Sequence, residues 1–206
     1  MSSNFYHYPV WVRIWHATNA LLCLFLIVTG FSMLYSNPDN ALVVKFQRAV
    51  AIHNVCGILL TFSYTMFLFG NLFTANGRHY LIRLKGLGQR LWAQGYYYAY
   101  GYFKGEKAPF PVDRDRKFNP LQQVSYVGVM YFILPMLFVT GWALMFPEFI
   151  LKKFLGVSGI FLTDQFHVVL GFLTVIFLFV HLYVSTMGKS PVSNFRSIVT
   201  GWQESH

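Results

Sequence analysis

The chain has 206 residues, 55% of them hydrophobic and only 11% charged, with a formal net charge of +9. An ordinary soluble domain is about 25% charged, and a water-exposed fold this apolar would aggregate, so the solvent is lipid. Two cysteines exclude a disulfide scaffold, and the absence of CxxCH and CxxC motifs excludes covalent haem attachment, iron–sulfur clusters and structural zinc.

Four apolar spans follow in chain order, about 10–35, 49–73, 124–146 and 163–187. Each is long enough to cross a bilayer as a helix, which needs about 20 apolar residues at 1.5 Å of rise each. Helices satisfy their own backbone polar groups, so they are the default spanning element. The expected fold is an all-α, integral membrane four-helix bundle over a single domain, 1–206. Span one has no basic start and no small-residue cleavage site, so it is read as a retained helix rather than a signal peptide. Pro135 should disturb span three.

Between spans two and three, the segment 74–120 carries Arg78, Arg83, Lys85, Arg90, Lys104, Lys107, Arg114, Arg116 and Lys117 against Glu106, Asp113 and Asp115. The two other loops are nearly neutral. Basic loops stay in the cytoplasm, so this loop and both termini are expected there, and the positive charge reads as membrane contact, not nucleic-acid binding. Leu81, Leu84, Leu87 and Leu91 recur at helical spacing, which predicts an interfacial helix, although Gly86 and Gly88 weaken it. The tyrosines of GYYYAYGYF fit an aromatic belt at the headgroups.

Ionisable residues inside membrane spans are costly and usually functional. Here they are mainly histidines: His16 in span one, His53 in span two, His167 and His181 in span four. His7, His79 and His206 fall at a membrane edge or in a tail and read as solvated. Given the expected orientation, His16 and His181 each lie about six residues, or roughly 9 Å, from the cytoplasmic surface. His53 and His167 each lie about four residues from the outer one. The last two histidines of the spans are 14 residues apart, about 1400° at 100° per residue, so they share one helix face about 21 Å apart.

A neutral imidazole is a good iron ligand. Two depth-matched pairs therefore predict two bis-histidine b-type haems, His16 with His181 and His53 with His167. Gly30, Gly57, Gly141 and Gly171 are candidates for the room a flat macrocycle needs, although small residues also serve helix packing. Arg13, one turn before His16, could neutralise a haem propionate or simply anchor the helix at the interface. A proton relay would bring Asp or Glu, and a copper site would bring Met and Cys clusters; the middles of the spans offer neither.

With these residues in view, the chain resembles the di-haem cytochrome b subunits of [NiFe] hydrogenases, thiosulfate reductases and formate dehydrogenases, related to bacterial cytochrome b561. The resemblance rests on RIWH with His16, on His53, on the His167/His181 spacing, and on KFNPLQQVSY before span three. One departure is Ala17 where many relatives carry tryptophan after the first histidine. The resemblance implies a subunit without catalytic residues of its own, set in the inner membrane of a bacterium or archaeon. It would relay electrons between a quinone (menaquinone or ubiquinone) and an iron–sulfur or multihaem cytochrome c subunit, itself joined to a catalytic subunit of hydrogenase, thiosulfate/polysulfide reductase or formate dehydrogenase type. It also implies a quinone contact at Asn119, with Gln122 and Tyr126 as weaker candidates. From the residues alone, Asn119 before Pro120 reads as a helix cap. Two other readings are a stand-alone cytochrome b561-type quinone oxidoreductase and a haem-free transporter or assembly protein.

Overall fold

The computed structural model describes residues 4–37, 40–113 and 116–204. Of the residues weighed above, Arg114, Asp115 and His206 lie outside them.

Four helical segments are long and apolar enough to cross a membrane: Val10–Tyr35, Phe46–Phe73, Pro120–Met145 and Gly159–Ser185. The first is helix α1 (Val10–Tyr35), entered through Pro9, whose carbonyl accepts the N–H groups of Val12 and Arg13. Helix α2 (Phe46–Phe73) begins three residues earlier than the apolar pattern suggested, because the polar stretch around Gln47 and Arg48 is helical too. Each span leaves large apolar side chains uncovered, among them Phe62, Val139 and Phe179. Apolar surface on this scale marks contact with lipid, and the chain is an integral membrane protein.

In the loop after α2, a 3-10 turn covers Ala75–Tyr80 and helix α3 covers Leu87–Tyr96, running into a π turn at Tyr97–Gly101. The leucine spacing predicted a helix reaching back to Leu81. It starts at Leu87 instead, because Gly86 stands at its N-cap with φ of 68°, a left-handed conformation that breaks the helix there.

The third span is interrupted. Helix α4 (Pro120–Gly128) passes into a π turn at Val129–Ile133 and then into helix α5 (Leu134–Met145). Pro135 has no N–H to give the preceding turn, and the expected disturbance takes the form of this wider turn. Helix α6 (Gly159–Ser185) forms the last span and helix α7 (Ser193–Thr200) follows it.

The helices are joined by two short antiparallel strand pairs that the reading did not anticipate, being only two or three residues long. Strand β1 (Asn4–Tyr6) pairs with β4 (Trp202–Glu204), and β2 (Lys153–Phe154) with β3 (Val157–Ser158).

The chain divides into two compact units. One comprises Met1–Ile14, Phe69–Val129 and Phe177–His206; the other comprises Trp15–Leu68 and Met130–Ile176. The second unit has a small apolar core of Leu22, Cys56 and Leu60 with Cys23, Leu26 and Phe138 packed against it. Trp15 stacks on the fully buried Phe67 at 4.3 Å, and Asn19 donates to Ser63 Oγ at 2.9 Å. The first unit is held by the β1–β4 ladder and by polar contacts among its loops.

Candidate functional site: a paired-histidine cavity

The second unit contains a partly open cavity of about 650 Å³, within the range of about 300–1,000 Å³ typical of ligand sites. His53 from α2 and His167 from α6 both line it, as do Gly30, Gly57, Gly141 and Gly171, and most of the remaining lining is aliphatic or aromatic. The two imidazole rings meet edge-on, with centroids 6.2 Å apart and planes inclined at 69°.

Each imidazole is oriented by a threonine that the sequence reading did not single out. Thr29 Oγ1 lies 2.9 Å from His53 Nδ1, and Thr140 Oγ1 lies 2.8 Å from His167 Nδ1. Each hydroxyl also reaches a carbonyl of its own helix, Thr29 the Phe25 carbonyl at 2.7 Å and Thr140 the Met136 carbonyl at 2.8 Å. With its one proton on that carbonyl, the threonine oxygen is the acceptor for the imidazole. Nδ1 then carries the ring proton in both histidines, and Nε2 is left with its lone pair for a metal. This is the arrangement in which a partner group fixes the tautomer of a metal-binding histidine.

One glycine gives a ring its room. A Cβ on Gly141 would come within 3.3 Å of His167 Cε1, tighter than side chains ordinarily pack, whereas one on Gly30 would make only ordinary contact with His53 Cε1 at 3.7 Å. Gly57 and Gly171 are different: a Cβ there meets nothing within 4 Å and would occupy the cavity itself.

A b-type haem fits these residues. Metal–imidazole bonds of about 2 Å, with each nitrogen about 1 Å from its ring centre, set two ring centres about 6 Å apart across an iron. Among the described residues no group of three or more His, Cys, Asp or Glu side chains gathers that could hold a bare ion. Two imidazoles alone do not complete a zinc or copper site, but they would suffice to hold the iron of a macrocycle that brings its own four nitrogens.

The other expected ligands fall in different units, His16 in the second and His181 in the first. His181 Nδ1 lies 3.3 Å from the Tyr126 hydroxyl, and the ring stacks on Phe177 at 5.6 Å. Arg13, in the first unit, has a buried Nε without a hydrogen-bond partner, an orphan cationic donor that an anionic group such as a propionate would satisfy.

Asn119 is the cap that its place before Pro120 indicated. Its Oδ1 accepts from the Gln122 N–H at 2.9 Å, and Gln122 Oε1 accepts from the Asn119 N–H at 3.2 Å, closing a capping box. That leaves the amide nitrogen. It donates one hydrogen to the Tyr98 hydroxyl at 2.6 Å, and no described residue uses the second. Burial pushes the Tyr98 hydroxyl up to about 12, with the Asn119 bond pulling the other way, so it stays protonated at neutral pH. Tyr98 belongs to the tyrosine run read as a headgroup belt; nothing in that run distinguished it from its neighbours.

A family model described as prokaryotic cytochrome b561 matches residues 7–201. The chain is also 40% identical over 197 residues, 96% of its own length and 74% of the other's, to YdhU of Escherichia coli (strain K12), a cytochrome by its name. No solved structure matches.

Proposed function

The chain belongs to the prokaryotic cytochrome b561 family, and on that premise we propose that it is the membrane-anchoring, di-haem cytochrome b subunit of a respiratory oxidoreductase complex. It moves electrons between the quinone pool and a periplasmic redox partner. The observation that carries the reading is the matched pair of threonine-oriented imidazoles, His53 with Thr29 and His167 with Thr140, across a glycine-lined cavity. A b-type haem held between these imidazoles would supply reversible one-electron transfer.

The remaining roles belong to the chain. His53 and His167 hold one haem, and His16 and His181 hold the other, the latter pairing resting on their matched depths along the spans. Thr29 and Thr140 fix the ring protons on Nδ1. Gly57 and Gly171 keep the cavity wide enough for a flat ring, and Arg13 offers its orphan Nε to a propionate. Asn119 presents its second amide hydrogen to a quinone carbonyl while its oxygen holds the cap. The excess of Lys and Arg in segment 74–120 supports a cytoplasmic position for this end and a periplasmic one for the short loops. The electron partner there is an iron–sulfur or multihaem cytochrome c subunit.

The test is purification after mild solubilisation, followed by addition of a quinol. A chain that leaves the membrane with redox subunits attached and whose b-type bands grow on quinol addition supports the proposal. A solitary chain that exchanges electrons with quinone directly would support the stand-alone cytochrome b561 alternative.

A further inference from the structure

In the second unit, the link between α5 and α6 is a hairpin whose tip carries backbone strain. Strands β2 and β3 meet at a two-residue turn, Leu155 and Gly156, with Phe154 paired to Val157 and Lys153 to Ser158. Both turn residues have positive φ, 48° and 83°, as in a type I′ hairpin, whose central positions suit Asn, Asp or Gly. A leucine Cβ crowds the backbone in this left-handed region. Among the described residues Leu155 alone, glycines aside, adopts it, and the side chain is 88% exposed. Strain of this kind collects at functional positions, and packing inside the fold does not account for a leucine so exposed.

The register gives the ribbon two unlike faces. Directly opposed residues share a face and successive residues alternate, so Phe154 and Val157 lie on one side and Lys153 and Ser158 on the other. Phe149 and Leu151, leading into the ribbon, are exposed as well. Lys152 and Lys153 stand against Glu148 alone in this link. The base of the hairpin is fastened to α6: the Gly159 N–H donates to the Lys152 carbonyl at 3.2 Å, and a Cβ on Gly159 would strike the Leu151 carbonyl. The short ribbon is therefore held at the level where the span begins. Its apolar side chains continue into Phe146 at the end of α5 and into Ile160 and Phe161 in the first turn of α6, all exposed.

We propose that this hairpin is an anchor in the bilayer interface: the Phe154–Val157 face and the Leu155 tip enter the leaflet at this end of the spans, and Lys152 and Lys153 reach its phosphates. Continuity selects lipid over a protein partner, because the apolar surface of the ribbon runs on from that of the two spans it joins. The charge fits as well, since lysines beside apolar side chains suit an anionic headgroup layer, with their stems along the apolar surface and their heads in water. A leucine at the tip buries apolar area there, which the unstrained Asn would not. The inference does not depend on the haem or quinone assignments.

The experiment uses the full chain, with Cys23 and Cys56 replaced by alanine, in nanodiscs of phosphatidylcholine and phosphatidylglycerol. A nitroxide is attached to Lys153→Cys, Phe154→Cys, Leu155→Cys or Ser158→Cys, and its collisions with oxygen, which enters lipid, and with a nickel chelate, which stays in water, are measured. The oxygen-to-nickel ratio should be several-fold higher in Phe154→Cys and Leu155→Cys than in Lys153→Cys and Ser158→Cys. Adding Leu155→Asn, which relieves the turn and removes the apolar tip, should lower the ratio in Phe154→Cys with unchanged helical circular dichroism; an unchanged ratio would overturn the role given to the leucine. Equal ratios in all four labelled chains would overturn the anchor, and exclusion of both reagents from Leu155→Cys would overturn lipid in favour of a protein surface. Hydroxyl-radical footprinting of the unsubstituted chain gives the same contrast without any variant: Phe154 and Leu155 should be protected in nanodiscs, and full modification of both would overturn the proposal.

Discussion

Replacing Thr140 by valine removes one oxygen while keeping the side chain's shape. Thr140 is buried, and its oxygen is the acceptor for His167 Nδ1–H at 2.8 Å. Without it the imidazole proton has no partner, which costs about 1–3 kcal/mol for a buried donor. Loss of a group that orients a metal-binding histidine typically weakens metal affinity by about 10–100-fold, or about 1.4–2.7 kcal/mol, so the two routes agree. Thr140→Val should therefore loosen one of two haems by one to two orders of magnitude and shift its midpoint potential, since hydrogen bonding to the axial ligand tunes the iron. Thr140→Ser, which keeps the oxygen, should restore most of the affinity. The assay is haem titration of stripped protein in detergent, joined to a potentiometric redox titration. Wild-type affinity and potential in Thr140→Val would show that the threonine does no more than bond back to its own helix, and the tautomer argument would fail.

His53→Ala should lower the haem count from two to one per chain and stop electron transfer between quinone and periplasmic partner; two normal haems in that variant would break the pairing scheme. Gly171→Leu places a side chain in open cavity space and should expel the same haem while His53 and His167 remain, read by pigment extraction and circular dichroism. Asn119→Ser keeps a capping oxygen but loses the amide hydrogens and with them the bond to Tyr98, so stability should fall by about 1 kcal/mol while inhibition by a quinone analogue weakens with both haems present. Lys117 gives a pH dependence with a definite sign. Its amine titrates near 8 in the fold, below the ordinary 10.5, so between those values the unfolded chain holds more protons and stability rises with pH. Thermal unfolding at pH 7 and pH 9.5 should show the higher midpoint at pH 9.5, and Lys117→Met should flatten that rise.

The four spans were legible because a bilayer sets a length that soluble folds do not, and an apolar run of that length has few other uses. His53 and His167 were legible for a related reason: an ionisable group inside lipid demands an explanation. Thr29 and Thr140 were not. A threonine in a spanning helix ordinarily bonds back to the carbonyl four residues earlier, as both do here, and only the fold shows that each oxygen is also shared with an imidazole on another helix. The buried Lys117 was equally hidden: its partner Asn76 lies 41 residues away, and in sequence it is one more cation in a basic loop. Leucine spacing overextended α3 because periodicity does not register the left-handed backbone at Gly86.

The account's central claim is that paired imidazoles in the spans hold b-type haem. The most direct measurement is the pyridine haemochrome content and reduced-minus-oxidised spectrum of the purified chain. The account predicts b-type bands and two haems per polypeptide; a protein that carries no b-type haem when expressed with haem in supply would contradict it.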